Sequence, residues 1–88
     1  METKDEVVQA VVVILVERFA LRAEEIQLES RFGDDLDLDS IDAIDFAVHV
    51  EEEHGLVLDE DDLKELRTVG DVVDVLYRKL EVSTRGAA

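Results

Sequence analysis

The sequence predicts a small, single-domain, all-α protein, and three observations support this prediction. The chain has 88 residues, which is enough for one small domain with a modest core. Hydrophobic residues make up 47% of it, a fraction that favours a folded chain over a disordered one. It contains no Pro and only four Gly, a composition that suits helices better than a turn-rich β fold.

The net charge limits the possible partners. Twenty-four Asp and Glu against nine Lys and Arg give a formal charge of −15, so nucleic acids and anionic membrane surfaces would repel the chain. We therefore expect basic protein partners, with no nucleic acid and no membrane. The apolar run at 11–16 is far shorter than the roughly 20 residues of a membrane span, and the acidic N-terminus is unlike a signal peptide. The absence of Cys excludes disulfides and thiolate sites and fits a reducing cytoplasm.

Helical periodicity begins near the N-terminus. Apolar residues recur at helical spacing from Val7 to Phe19, which predicts a first helix from Lys4 to Ala20. A buried strand is the alternative because the run is rich in β-branched residues, although the segment is long for a strand. From Leu21 to Asp39 no period holds, and we expect a long ordered loop with apolar anchors at Leu21, Ile26, Leu28, Phe32 and Leu36.

Capping residues predict three further helices. Asp39 can cap a helix from Ser40 to His54, which Gly55 ends, and Asp59 can cap a short helix that ends near Leu66. Thr68, with an acid three residues on, starts the last helix. We assign residues 1–82 to the domain and residues 83–88 to a flexible C-terminal tail.

The predicted helix 40–54 carries two apolar strips. The first is expected to face the core and consists of Ala43, Phe46, Ala47, Val50 and His54. The second lies on another side of the helix, among acidic residues, and consists of Ile41, Ile44 and Val48. A domain of three or four helices rarely buries both strips, so the second is a candidate docking surface. The alternative is that another helix covers it.

Acidic residues are concentrated between Phe32 and Leu63, where no Lys or Arg occurs. Thirteen of the 24 acids lie in this part of the chain. A surface that is merely solvated usually mixes both signs of charge, so the block suggests a surface that steers basic partners. A solvated acidic face is the alternative interpretation.

Neither metal binding nor catalysis accounts for the aspartates of this block. Asp35, Asp37 and Asp39 match the first ligand positions of an EF-hand loop, but the turn glycine and the bidentate Glu of that loop are missing. His49 and His54 lie about 140° apart on a helix and cannot share a metal, and we expect His54 to be partly buried and His49 to face solvent. We predict no metal site and no catalytic residue.

Ser40 places a lone hydroxyl at the start of this acidic helix. Free backbone N–H groups and the positive end of the helix dipole favour a phosphate at such a position. The interpretation is a site where a phosphate-containing group is attached to Ser40. An ordinary serine in a first helical turn is the alternative.

The stretch DLDLDSIDAIDFAVHVEEEHG resembles the modification motif and second helix of acyl carrier proteins. The long first helix, the loop with RFGDDL, the short helix after LDEDD and the closing LRTVGDVVDVL follow in that family's order, so the resemblance covers nearly the whole chain. It implies a four-helix bundle of acyl-carrier type with a long loop between helices 1 and 2 and a short third helix.

The resemblance also implies a function. Ser40, preceded by Asp39 of the motif, would carry 4′-phosphopantetheine, attached by a phosphopantetheinyl transferase that uses coenzyme A and magnesium. The chain would be a monomeric carrier and not an enzyme, presenting acyl thioesters to basic acyl-transferring and ketosynthase-type enzymes of fatty-acid, polyketide or related biosynthesis. The residues expected to contact partners are Ile41, Asp42, Ile44, Asp45, Val48, Glu51 and Glu52. The residues expected to line an acyl pocket are Phe46, Ala47, Val50 and Leu66.

Two departures from the family pattern bear on the pathway. Asp37 stands where many fatty-acid carriers have Gly, and His54 stands where a large apolar residue is common. Both favour a dedicated pathway, such as polyketide or aryl-polyene assembly. The alternative function is an unmodified acidic interaction protein, or one that responds to divalent cations, with the same fold.

Overall fold

The computed structural model describes the backbone of residues 3–87 and the side chains of residues 3–81. Its helices are α1 (Lys4–Phe19), α2 (Ser40–His54), α3 (Glu60–Glu65) and α4 (Val69–Ala87), and a 3-10 turn at Ala23–Glu25 lies between α1 and α2. The predicted all-α fold with four helices is confirmed. The helix α4 runs past residue 82, and the predicted tail 83–88 has its side chains outside the described residues, so the tail stays a prediction.

The helix ends follow from capping chemistry. Asp39 accepts hydrogen bonds from the backbone N–H groups at the start of α2, and Asp59 does the same for α3. At the start of α4 the Thr68 hydroxyl accepts from Asp71 N at 3.2 Å, while the Asp71 carboxylate accepts from Thr68 N at 3.0 Å. Gly55 ends α2 with φ of 70°, in the left-handed region that glycine adopts without strain.

The core lies mainly between α1 and α4, and α2 closes one side of it. The best-buried large side chains come from these three helices and are Ile14, Leu15, Leu76, Val7, Val11, Val50, Val69, Val72 and Val73. The first segment is the helix α1, so the strand alternative for it is wrong. None of the six side chains of α3 is fully buried, so this helix is held to the bundle differently from the other three.

The long loop between α1 and α2 is ordered by main-chain hydrogen bonds to the start of α4. Phe32 N donates to Arg67 O at 3.1 Å, and Val69 N and Gly70 N donate to the carbonyls of residues 30 and 28 at 3.0 and 2.8 Å. A Cβ at Gly70 would lie 3.1 Å from the residue 28 carbonyl oxygen, so only glycine allows this approach without a shift. The loop thus forms a fixed wall in front of α2.

One predicted loop anchor is wrong. Leu36 is buried, and three other anchors of the loop pack against the core, namely Leu21, Ile26 and Phe32. Leu28 is instead 49% exposed. This residue holds the loop through its carbonyl, which pairs with Gly70 N, and its side chain is left in solvent.

Candidate functional site

Ser40 is the first residue of α2, and its side chain is exposed. Asp39 Oδ1 accepts from Ile41 N and Asp42 N, both at 3.0 Å, while Asp42 Oδ2 accepts from Asp39 N at 3.1 Å. This reciprocal box fixes the backbone on both sides of Ser40. Within residues 3–81 the Ser40 hydroxyl has no hydrogen-bond partner, so it is free to react without breaking a native contact.

The capping box uses two of the N–H groups that the sequence analysis offered to a phosphate at Ser40. The sequence suggested that free N–H groups at the start of α2 would favour a phosphate, but Asp39 already accepts from Ile41 N and Asp42 N. The carboxylates of Asp39 and Asp42 instead place negative charge beside the hydroxyl. Basic side chains from another part of the chain would add to the stabilisation of an anionic group near Ser40.

An open cleft of about 790 Å³ lies beside Ser40. Its walls are residues 31–34 and 38–40, the first turns of α2, and the segment that runs from α3 to the start of α4. Its apolar lining consists of Phe32, Leu38, Ala43, Ile44, Leu63 and Leu66. Its basic lining consists of Arg31, Lys64 and Arg67, which the sequence analysis did not identify as site residues. The sequence held a signal that could have identified two of them, because Arg31 and Lys64 directly flank the segment 32–63 that contains no Lys or Arg.

The second apolar strip of α2 is exposed. Ile41, Ile44 and Val48 are 73%, 55% and 42% exposed, so no other described helix covers them. The alternative that the strip belongs to the core is therefore wrong. The acids Asp45, Glu51 and Glu52 are also exposed, whereas Asp42 is partly buried and engaged in the capping box. The strip and its rim, which we call the α2 outer face, consist of Ile41, Ile44, Asp45, Val48, Glu51 and Glu52.

The opposite face of α2 enters the core, as predicted for Phe46, Ala47 and Val50. Phe46 lies between two other aromatic rings, with centroid distances of 6.5 Å to Phe19 and 6.4 Å to Phe32. Phe19 ends α1 and Phe32 belongs to the long loop, so the three rings join these two segments to α2.

A small apolar pocket opens next to Phe46. Phe46 and Leu66 line it, whereas Ala47 and Val50 do not, and the other lining residues are Phe32, Leu38, Asp42 and Ala43. Its volume of about 10 Å³ holds roughly one water molecule. Four of its lining residues also line the cleft, so the pocket adjoins the cleft floor.

The expected burial of the two histidines was wrong in both cases. His54 is exposed in the last turn of α2. The His49 side chain is only 19% exposed, and its ring meets Phe19 edge to face at 6.3 Å. His49 Nε2 lies 3.8 Å from Asp45 Oδ1, while His49 Nδ1 is buried and has no hydrogen-bond partner within the described residues. His49 thus fills the edge of the core beside α1.

Ion pairs hold α3 against α4. Lys79 Nζ lies 2.6 Å from Asp62 Oδ2, and Arg78 lies 3.2 Å from Glu65. Burial raises the pKa of the Asp62 carboxyl, but the hydrogen bond and charge of Lys79 and the hydrogen bonds with Asp59 lower it more, so the pKa lies below its usual value of 3.8. The pair therefore stabilises the folded protein when Asp62 is ionised.

Asp62→Asn should loosen α3 at neutral pH, because it removes the charge that holds Lys79 while keeping an oxygen that can accept from Asp59 N. A carboxyl with a lowered folded pKa contributes stability above its unfolded pKa and loses that contribution as the pH falls through the folded value. We expect faster amide hydrogen exchange in α3 than in the native chain at pH 7, and a difference that shrinks in acid.

The matched control is Asp61→Asn, which removes the same charge from the same helical turn. Asp61 is exposed and makes no ion pair or hydrogen bond among the side chains of residues 3–81. Equal exchange rates in the two variants would show that the Asp62–Lys79 pair does not hold α3.

The described residues contain no group of three or more His, Cys, Asp or Glu side chains placed to hold a metal ion. They also contain no helix long and apolar enough to cross a membrane. The aspartates at 35, 37 and 39 have separate structural roles: Asp35 accepts from Arg31 N at 2.7 Å, Asp37 turns the chain with φ of 57°, and Asp39 caps α2.

Comparison with known proteins gives one consistent result. Residues 9–76 match the family described as the phosphopantetheine attachment site. The acyl carrier protein of Petrotoga mobilis is 34% identical over 80 residues, which cover 91% of this chain and 94% of that protein. The meromycolate extension acyl carrier protein of Mycobacterium leprae is 38% identical over 86 residues, covering 98% and 74% of the two chains. The acyl carrier protein structure from Thermotoga maritima superposes with a TM-score of 0.77 at 29% identity, covering 89% and 91%.

Proposed function

Since the chain belongs to the acyl carrier protein family, we propose that it is a discrete carrier whose 4′-phosphopantetheine arm is attached to Ser40. Members of this family are carriers of acyl groups and not enzymes, and phosphopantetheine is their prosthetic group. A phosphopantetheinyl transferase would load Ser40, and synthase enzymes of fatty-acid, polyketide or related biosynthesis would then use the loaded carrier. We place this work in the cytoplasm and assign the carrier as a monomer.

The observation that carries the proposal is the state of Ser40. Its hydroxyl is exposed, has no partner within residues 3–81, and lies beside a cleft at the start of a helix that Asp39 fixes. These features fit attachment of a long flexible group. When bound, the group supplies a thiol that carries acyl groups as thioesters. The chain itself has no Cys that could supply one.

The loading step follows from the chemistry of coenzyme A. The Ser40 oxygen would bond to the phosphorus next to the pantetheine, the bond from that phosphorus to the rest of the diphosphate would break, and adenosine bisphosphate would leave. The hydroxyl proton passes to a base on the transferase. The contribution of this chain is to present the oxygen on a rigid, solvent-facing turn.

Intact mass spectrometry tests the proposal directly. After incubation with a broad-specificity phosphopantetheinyl transferase, coenzyme A and magnesium, the mass should rise by one phosphopantetheine group. Omission of the transferase should leave the mass unchanged. A chain that stays at its original mass would instead support the unmodified interaction protein.

The α2 outer face supports a docking role. It combines three exposed apolar side chains with an acidic rim, which is the composition expected of a surface that meets basic enzymes. We propose that Ile41, Ile44 and Val48 supply contact area while Asp45, Glu51 and Glu52 steer the approach. We give Asp42 a smaller part, because its carboxylate is engaged in the cap of α2.

We propose that a neutral acyl chain enters the bundle at the small pocket between Phe46 and Leu66. The pocket is nearly closed, so the chain would have to part α2 from the segment after α3. An apolar chain gains roughly 0.8 kcal/mol per CH₂ group on leaving water, which favours such an opening. Ala47 and Val50 would become lining residues only in the opened form.

Loading a medium-length saturated acyl group should therefore change the NMR shifts of Phe46 and Leu66 relative to the unacylated carrier. Val7 and Val11, which are buried in the first half of α1, serve as internal controls and should move little. Shifts at Phe46 and Leu66 that do not depend on the acyl group would show that the chain is held elsewhere.

The pathway is also a proposal. The relatives include acyl carrier proteins without a named pathway and meromycolate extension carriers, which supports work in fatty-acid or related biosynthesis. The departures at Asp37 and His54 favour a dedicated pathway. In the structure Asp37 adopts the left-handed conformation with φ of 57°, which is also open to glycine.

A further inference from the structure

Two basic side chains in the cleft have no acidic partner. Lys64 lies on α3 and Arg67 lies between α3 and α4, and both line the cleft beside Ser40. Among the side chains of residues 3–81, neither forms an ion pair or a side-chain hydrogen bond. In a chain with 24 acids and nine bases, cations left without an acid at one place suggest an anionic partner from outside the chain.

Three of the four acids that line the same cleft are engaged in other contacts. Asp39 caps α2, and Asp71 accepts from Arg67 N and Thr68 N at the start of α4. Asp34 lies 3.4 Å from Arg31 Nη1, which leaves Arg31 the one basic residue of the cleft with an acidic partner. Glu60, one turn before Lys64, forms no ion pair with it in the part of the chain described. The positive charge of Lys64 and Arg67 is therefore available to a ligand.

The cleft also has the size and lining for an extended arm. A volume of about 790 Å³ lies within the range of roughly 300–1,000 Å³ for small-molecule sites. Phe32, Leu63 and Leu66 give apolar contact along it, and Ser40 stands at its edge. An arm attached to Ser40 can thus lie in the cleft without any opening of the core.

We propose that the cleft holds the arm when its acyl group ends in a carboxylate, and that Lys64 and Arg67 bind this carboxylate. The inference rests on the proposed function, because the acyl group arrives on the Ser40 arm. The adjoining pocket has an apolar lining apart from Asp42, so an ionised carboxylate placed there would lose its hydration without gaining a cationic partner. Neutral chains thus enter the pocket, and carboxylate-terminated chains stay in the cleft.

The charges favour an acyl carboxylate over the phosphodiester as the partner of both cations. The phosphodiester is bonded to Ser40 on α2 and carries one negative charge, whereas the two cations come from α3 and the segment after it. A neutral acyl group adds no charge to the arm. A carboxylate-terminated group adds a second negative charge at the far end of the arm. An arm that lies in the cleft can bring this charge to Lys64 and Arg67.

NMR of two matched loaded forms tests this assignment. One form carries a ¹³C-labelled glutaryl arm in a hydrolysis-resistant amide linkage, and the other carries the same arm with its end carboxylate converted to a primary amide. At pH 7 the glutaryl form should show nuclear Overhauser effects from its last CH₂ group to the side chains of Lys64 and Arg67. The neutral form should lose these effects, although the two end groups have nearly the same size.

Variants test whether the nuclear Overhauser effects depend on the two cations of the cleft. K64Q together with R67Q should abolish the contacts, whereas R18Q, which removes one charge from the exposed surface of α1, should keep them. Equal contacts from both arms, or none from the glutaryl arm, would overturn the proposal. A second result would also overturn it: K64Q together with R67Q changes the ³¹P shift of the arm as strongly in the unacylated carrier as in the glutaryl form. The two cations would then bind the phosphodiester.

The mass of each sample keeps this test apart from the proposed function. If neither arm becomes attached to Ser40, the carrier function fails and the inference fails with it. If both arms are attached but the glutaryl end makes no contact with Lys64 or Arg67, only the inference fails.

Discussion

Ser40→Ala should abolish the mass increase by phosphopantetheine completely, because it removes the only atom to which the arm is proposed to bond. The fold should persist. The Ser40 side chain is exposed and its hydroxyl has no partner within residues 3–81, while Asp39 still caps α2. We expect the free energy of unfolding to change by less than about 0.5 kcal/mol. Intact mass and thermal unfolding of the same sample measure both effects.

The control for this prediction is Ser30→Ala. Ser30 is buried, and its Oγ accepts from Gln27 N at 3.0 Å and donates to Glu25 O at 3.4 Å. A transferase cannot reach it in the folded chain, so Ser30→Ala should still be loaded. It should lose about 1 kcal/mol of stability from the missing hydrogen bonds. A mass increase that persists in Ser40→Ala would place the arm on another hydroxyl.

Asp45→Lys and Glu51→Lys should each slow acyl transfer to a basic partner enzyme by about tenfold at low salt, because rim charges act mostly on steering. Both residues are exposed on the α2 outer face. The loss should lie in the association rate and should shrink as ionic strength rises. Glu17→Lys makes the same charge change at an exposed position of α1 and should have a much smaller effect.

Val48→Ala should affect the same complex differently. Val48 is 42% exposed in the α2 outer face, so the substitution removes contact area and should shorten the lifetime of the complex without slowing its formation. The melting temperature should change little. A large loss of thermal stability in Val48→Ala, together with unchanged kinetics in both Lys variants, would contradict the docking role of this face.

The limits of the helices could be predicted because a residue with defined capping chemistry marks most of them. Asp39 and Gly55 bound α2 where the sequence placed them, and Asp59 and Thr68 precede α3 and α4. The first helix ends one residue earlier than predicted, at Phe19, because Ala20 adopts the left-handed conformation. Local hydrogen bonds decide these positions, and local sequence records them.

The errors concern features that depend on contacts between distant segments. Periodicity predicts the side of α2 on which a side chain lies. It does not predict which other segment of the chain packs beside that side chain. Phe19 of α1 lies beside His49, so His49 is enclosed, whereas His54 lies in the last turn of α2 and is exposed. Leu28 has an apolar side chain, yet it is the main chain of this residue that makes the contact with α4.

The cleft could not be predicted for the same reason. Arg31 and Lys64 flank the acidic block in sequence, and the main-chain hydrogen bonds between the loop and the start of α4 bring their segments together. Residues at 31 and 67 then line one cavity with Ser40. Composition indicated where bases were missing, but the pairing of the loop with the start of α4 determines where the remaining bases meet.

The main-chain pairing of the loop with the start of α4 sets the shape of the cleft, whereas the side chains that line the cleft set its charge. The bonds from Phe32 N, Val69 N and Gly70 N all end on main-chain carbonyls, so the pairing of the two segments uses none of the basic side chains of the cleft. The side chains of Arg31, Lys64 and Arg67 are exposed and can be exchanged over evolution at little cost to folding. One scaffold can thereby be adapted to different cargoes by surface substitutions alone.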